Sequence, residues 1–154
     1  IEALTVKFYI AVVNPDRARQ YLKLYKEVKY VNVPVGENTY ASVYLSPSSV
    51  KRITGVEGGR GKWVKYQGVV VEYNGKIVAT YSSERGKMEK WWTIQSPSIV
   101  ETSYYPLLNK DETPLSVFWY DRYPEIMRPN SQQAASGSVP APFGTPVIPP
   151  ADGE

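Results

Sequence analysis

The chain has 154 residues, with 18 Lys and Arg against 15 Asp and Glu, a formal net charge of +3, and neither Cys nor His. This length suits one domain of ordinary size. The two missing residue types exclude disulfide bonds, zinc or haem held by Cys or His, thiol nucleophiles and catalytic schemes that use imidazole.

The first predicted elements are a strand and a helix. Residues 3–13 are β-branched and aromatic, which predicts a strand. Asn14-Pro15-Asp16 has the residue types of a helix start. It predicts an amphipathic helix from about Pro15 to about Lys29. Its apolar face would contain Ala18, Tyr21, Leu22, Tyr25 and Val28.

A β-hairpin is predicted in the middle of the chain. A strand over 38–45 and a turn or single helical turn at 46–49 come first, and the glycine-rich residues 55–61 predict a loop. Asn74-Gly75 is the preferred type I′ turn and joins strands 62–73 and 76–83. The register set by that turn pairs Glu72 with Ile77 and Val71 with Val78. Both faces of the hairpin are apolar, so it is expected near the centre of its sheet.

The C-terminal half predicts short elements and then a tail. Strands are expected at 91–95, 99–105 and 115–120, and one helical turn at 121–127. Residues 129–154 contain six of the 13 prolines and no Lys, Arg, Tyr or Trp. The chain is therefore expected to divide into one β-rich globular domain, 1–128, and a Pro/Ser/Ala/Gly-rich tail or linker, 129–154.

The order of these elements predicts an α+β fold. A mainly antiparallel β-sheet would pack against one amphipathic helix near the N-terminus, with an irregular C-terminal tail. A β-sandwich with the helix at its periphery is the alternative.

No complete catalytic motif is present. The loop before Lys62 resembles a phosphate-binding loop only in part, because Val56 occupies the position of the first glycine and Trp63 that of the Ser or Thr. Ser48 and Lys51 have Ser-x-x-Lys spacing, but the companion motifs are missing. The sequence predicts no enzyme activity, no catalytic residue, no cofactor and no metal site.

Basic residues interleaved with aromatic ones follow the predicted turn at 46–49. Single-stranded nucleic acids bind to such mixtures, because cations neutralise phosphates and aromatic rings stack on bases. The candidate contacts to nucleic acid or another anionic surface are Lys51, Arg52, Arg60, Lys62, Trp63 and Lys65.

Adjacent aromatic residues in the predicted strands indicate a second kind of surface. Neighbouring side chains of a strand point to opposite faces, so one ring of each pair is available to a partner. Buried aromatic anchors are the usual centres of protein interfaces. The candidate protein-interface residues are Trp91, Trp92, Tyr104, Tyr105 and Trp119.

The leading hypothesis is a non-enzymatic structural or interaction protein. It would be a subunit of a larger assembly, such as a filament, a virion or a membrane-associated complex. Its partners would be other protein subunits, of the same or another kind, contacted through aromatic-rich strands and the extended tail. An extracytoplasmic or assembly-associated location fits this hypothesis.

Two alternatives stay open. One is a module that binds single-stranded nucleic acid or an anionic surface, which the modest net charge does not favour. The other is the extracytoplasmic domain of a membrane-anchored protein, with the anchor expected before Ile1. The sequence itself contains no predicted transmembrane segment, since its longest apolar run near the start, 8–13, is too short to span a bilayer.

Overall fold

The structure is a computed structural model that describes residues 1–59, 61–119 and 122–128. The predicted tail lies outside the described residues. The described strands and helix, in chain order, are β1 (Ala3–Val13), β2 (Tyr21–Val31), β3 (Tyr44–Leu45), α1 (Pro47–Thr54), β4 (Val64–Tyr73), β5 (Lys76–Ser82), β6 (Ile99–Glu101), β7 (Leu107–Leu108) and β8 (Glu125–Ile126).

A six-stranded sheet forms the body of the protein. Its strand order is β5-β4-β1-β2-β6, and β8 also pairs with β2. Only the pairing of β6 with β2 is parallel among the described strands, while β3 and β7 form a separate antiparallel pair. The predicted α+β class with a mainly antiparallel sheet is confirmed.

The helix predicted over residues 15–29 is wrong, because most of this segment forms β2. Every residue of β2 is paired with β1, from Tyr21 opposite Val13 to Val31 opposite Ala3. The buried residues of β2 are spaced by even numbers, as a strand requires: Leu22, Leu24, Val28 and Tyr30. The same segment also fits a helical period, and pairing with the preceding strand decides between the two.

The residues taken as a helix start form a turn instead. The Asp16 backbone N–H donates to Asn14 Oδ1 at 2.9 Å, which is an Asx turn. The described helix is α1, where only a helical turn was expected at 46–49. Ser46 caps its N-terminus by accepting from the Ser49 backbone N–H at 3.2 Å, and Gly55 ends it with φ +83°. No helix in the described part of the chain is long and apolar enough to cross a membrane.

The predicted hairpin is present, but its position and part of its register differ from expectation. Asn74 and Gly75 have φ of 51° and 75°, as a type I′ turn requires. Glu72 pairs with Ile77 as predicted, whereas Val71 lies opposite Ala79 because Val78 forms a β-bulge. The hairpin lies at the edge of the sheet, with β5 as the outermost strand.

Several shorter predicted strands are also absent or reduced. The described residues of the segments 91–95 and 115–120 contain 3-10 turns at Trp91–Thr93 and Pro114–Val117 rather than strands. The tight turn lets two consecutive tryptophans pack on one side of the sheet, which the alternating side chains of a strand do not allow. The expected strand 99–105 pairs only at Ile99–Glu101.

Two further predictions fail in the same way. The expected strand 38–45 pairs only over Tyr44–Leu45, and the expected helical turn 121–127 contains the short strand β8. In these segments tertiary contacts replace long strand pairing. The local sequence of these segments therefore predicts longer regular elements than the fold contains.

The main sheet is covered on both faces. The side that we call the helix face is formed by even-numbered residues of β1 and β2 and packs against Ile53 of α1 and Leu107 of β7. The side that we call the tryptophan face contains Ala11 and Val70 and packs against Trp91 and Trp92. The protein therefore has two apolar layers on one sheet.

Tyr30 on the helix face gives a pH-dependent prediction. Its side chain is buried, its hydroxyl accepts from the Ser42 backbone N–H at 3.2 Å, and burial raises its pKa to about 12. The unfolded chain loses this phenolic proton near the ordinary tyrosine pKa of about 10, before the folded chain does. Below about pH 10, ionisation of Tyr30 should not affect the free energy of unfolding. The free energy of unfolding should fall as the pH rises from about 10 to about 12.

Urea unfolding monitored across this pH range, with wild type beside Tyr30→Phe, measures the effect. The variant lacks the phenol, so its stability should fall less steeply above about pH 10. Equal slopes for the two proteins would contradict the prediction.

Candidate functional site

The outermost strand β5 exposes both its side chains and one backbone edge. Ile77 is 63% exposed, Val78 56% and Tyr81 57%. Lys76 is the one charged residue of the strand. Natural sheets protect their edges with charges, prolines or covering segments, and an apolar edge without these binds other strands readily. In the described part of the chain, β5 pairs with β4 alone.

The five predicted protein-interface residues divide into buried and exposed groups. Trp91, Trp92 and Tyr105 are buried, so they belong to the core of this chain and are not available at its surface. Tyr104 is 88% exposed and Trp119 69% exposed. Only the last two of the five therefore lie at the surface of the described chain.

The two buried tryptophans are held by specific contacts. Trp91 Nε1 donates to the backbone carbonyl of Gln67 at 3.1 Å. The Trp92 ring stacks on Tyr9, with centroids 5.4 Å apart and planes 13° apart, and it meets Trp91 edge to face at 5.9 Å. Lys23 Nζ donates to the Trp92 carbonyl at 3.1 Å. This pair covers the tryptophan face over β1 and β4.

A second exposed surface lies beside β8, and we call Tyr40, Phe118, Trp119 and Tyr123 the aromatic surface. The Tyr40 and Tyr123 ring centroids are 5.9 Å apart. The buried Lys110 connects the other members, because its ammonium donates to the Phe118 carbonyl and lies 5.4 Å from the ring centroids of both Trp119 and Tyr123. The lysine therefore holds these rings together from beneath.

The predicted basic contacts do not form one patch among the described residues. Lys51 and Arg52 lie on α1, which covers the helix face, and Lys51 pairs with Glu57 at 3.4 Å. Lys65 lies on the tryptophan face, with its ammonium 5.8 Å and 5.5 Å from the ring centroids of Tyr21 and Tyr66. The structure thus separates these three cations onto two sides of the main sheet.

The remaining basic-patch candidates surround the glycine-rich loop. Lys62 is exposed, and Arg60 lies outside the described residues. Trp63 is half-buried against the cluster that includes Ile53. It also lies so close to Gly59 that an added Cβ there would be 2.8 Å from its Nε1. Trp63 is therefore mainly a packing residue, and the anionic contacts stay a prediction.

One cleft is lined by residues from both the predicted anionic contacts and the predicted protein interface. It has a volume of about 450 Å³ and lies between the Asx turn and α1. Arg52 and Tyr104 both line it, which the sequence did not indicate. The residues that line it are Asp16, Ser48, Ser49, Arg52, Tyr104 and Tyr105.

Two ion pairs shift the pKa of one of their members each. A hydrogen bond from Lys7 to Glu72, 2.9 Å long, raises the pKa of the Lys7 ammonium against the opposing effect of burial. Burial alone would raise the pKa of Glu112, but the hydrogen bond from Lys26 and that from the Asn109 backbone lower it overall. In the described ranges, no group of three or more acidic side chains is placed to hold a metal ion.

The features that sequence reasoning missed are the exposure of β5 and the role of Lys110. The low charge of residues 76–82 was visible, but the edge position of a strand depends on the whole sheet order. The burial of Lys110 beneath the rings of Trp119 and Tyr123 depends on tertiary folding, and no local pattern signals it.

The fold and these surfaces define an α+β protein with a mainly antiparallel sheet covered on both faces and an exposed edge strand. The profile of a family of unknown function matches residues 1–130, and the chain belongs to that family. A crystal structure of a protein from Akkermansia muciniphila is similar, with 97% sequence identity and a TM-score of 0.83. The match covers 84% of this chain and 68% of that one. Comparison with curated proteins gives no match.

Proposed function

We propose that this protein is a non-enzymatic structural or interaction protein, a subunit of a larger assembly that pairs with a second copy of itself along β5. The observation that carries the proposal is the apolar outer edge of the sheet, where Ile77, Val78 and Tyr81 are all more than half exposed. An edge of this kind binds another extended strand through main-chain hydrogen bonds.

The direction of the backbone groups indicates where such pairing would occur. The Ser83 N–H donates to the Gln67 carbonyl at 2.9 Å. Along an antiparallel strand, residues alternately turn their backbone groups towards the partner strand and away from it, so this bond identifies which residues of β5 face β4. Tyr81 therefore turns its backbone groups towards β4, and Thr80 turns its N–H and carbonyl outwards. Thr80 is central in the available edge.

The distribution of charge favours a second copy as the partner. In an antiparallel pairing with a two-fold axis at Thr80, Tyr81 of one copy would lie opposite Ala79 of the other. Lys76 is four residues before Thr80 and Glu84 four residues after it, so unlike charges approach each other at both ends. Two-fold contacts of this kind are the commonest in homo-oligomers.

Thr80→Pro is expected to weaken self-association roughly tenfold or more, since a two-fold contact loses two hydrogen bonds of about 1 kcal/mol each. Proline removes the outward N–H of residue 80 without removing a β4–β5 hydrogen bond. Light scattering over a range of protein concentrations measures the mass of the full chain.

Thr80→Val is the matched control, because it keeps the backbone N–H and should assemble as wild type does. Circular dichroism and urea unfolding should show that both variants are folded. A wild-type chain that is monomeric at every concentration would overturn the proposal, as would a Thr80→Pro chain that associates normally.

A further inference from the structure

We propose that residues 139–150, the proline-rich part of the C-terminal segment, bind the aromatic surface of their own chain. This surface lies beside β8 on the β2 side of the sheet, whereas β5 is at the opposite edge. The inference therefore goes beyond the proposed function, and either can fail without the other.

Three side chains of the aromatic surface are at least half exposed. Trp119 is 69% exposed, Phe118 51% and Tyr40 50%. Large aromatic side chains that cluster at the surface mark a binding site more often than a single exposed residue does. Contacts with Lys110 and between the Tyr40 and Tyr123 rings hold the cluster in place, so the surface is formed before any partner binds.

The chemistry of the aromatic surface fits a proline-rich segment. Proline rings pack flat on Trp and Tyr rings, and polyproline segments present carbonyls that accept hydrogen bonds from hydroxyl, indole and guanidinium groups. The surface provides the hydroxyl and indole donors. Arg122 beside it provides the guanidinium, and its Nη1 donates to the Tyr40 hydroxyl at 3.2 Å.

The proposed ligand has the matching composition. Residues 139–150 contain no charged side chain, so none is desolvated on docking. Apart from prolines the segment offers Phe143, Val147 and Ile148 as apolar contacts. Its prolines are Pro140, Pro142, Pro146, Pro149 and Pro150.

Chain connectivity favours docking within one molecule. The last described residue is Arg128, and just before it the Met127 N–H donates to the Lys29 carbonyl at 2.7 Å. Residue 139 follows Arg128 by eleven positions, which allow a reach of up to about 36–40 Å. A short linker raises the effective concentration of the segment to the millimolar range, so even a weak contact is populated.

A spin label in the segment tests the proposal on the full chain. Because the sequence has no cysteine, Thr145→Cys places one nitroxide in residues 139–150. We expect the indole N–H signal of Trp119 to lose most of its intensity in the ¹H–¹⁵N spectrum, while those of the buried Trp91 and Trp92 lose less. Trp119→Phe assigns the signal, and the reduced nitroxide gives the reference intensity.

Two controls separate the outcomes. Replacing the five prolines by serine in the spin-labelled chain should restore the Trp119 signal. If the signal stays as broad as before, the aromatic surface does not recognise proline and the proposal is overturned. Mixing ¹⁵N-labelled chain without nitroxide and nitroxide-labelled chain without ¹⁵N should leave the signal unchanged. Broadening in that mixture would show docking on a second copy and overturn docking within one chain, and no broadening in any sample would overturn the proposal altogether.

Discussion

Replacing Trp91 with alanine is expected to lower the free energy of unfolding by about 3–5 kcal/mol. The side chain is completely buried between Ala11, Val70 and Trp92. Its removal leaves a cavity and also takes away the indole donor of the Gln67 carbonyl. A domain of this size has about 5–15 kcal/mol of stability, so the loss is a large share of the total.

Urea unfolding followed by far-ultraviolet circular dichroism measures this loss without depending on tryptophan fluorescence. Trp119→Ala is the matched control, because it removes the same side chain from an exposed position. Its cost should be smaller, about 1–2 kcal/mol, because the exposed ring loses chiefly its cation–π contact with the buried Lys110. Equal losses at the two positions would contradict the assignment of Trp91 to the core.

Where the local sequence has only one physical solution, prediction from sequence succeeds. Asn74-Gly75 predicts the hairpin, because few residue pairs adopt positive φ at two consecutive positions. The β-branched run at 3–13 predicts β1 with its observed bounds. The glycines of 55–61 predict a loop for the same reason, and several of them have positive φ.

β2 shows the opposite case, in which the local signal fits two structures. Tyr21, Leu22, Tyr25 and Val28 fit one face of a helix, while Leu22, Leu24, Val28 and Tyr30 fit one face of a strand. The outcome depends on pairing with β1 along its whole length, which is a long-range interaction. Propensity within the segment is too weak to decide such a case.

The candidate site was only partly predictable for the same reason. The sequence singles out the aromatic residues, but the burial of each depends on which face of the sheet is covered by segments far along the chain. Trp91 and Tyr104 are each the first of two adjacent aromatic residues, yet Trp91 is fully buried and Tyr104 is 88% exposed. The edge position of β5 likewise follows from the sheet order and not from residues 76–82 themselves.

Gly68→Ala is expected to destabilise the protein by about 1–3 kcal/mol, although alanine is ordinarily better than glycine in a strand. Gly68 is buried in β4, and its φ lies outside the left-handed region, so the backbone itself accepts a side chain. An added Cβ, however, would lie 2.5 Å from Trp92 Cζ3 and closer still to Cε3. The indole must move, and it is already stacked on Tyr9.

The clash involves the six-membered ring of the indole, which offers a direct test. Trp92→Phe leaves no atom at the positions of Cε3 and Cζ3. Adding Gly68→Ala to this variant should therefore cost nothing or stabilise the protein by up to about 1 kcal/mol. Urea unfolding of the wild type, both single variants and the double variant gives the coupling between the two sites. If Gly68→Ala costs the same in both backgrounds, close packing of Trp92 on β4 is not the reason that residue 68 is glycine.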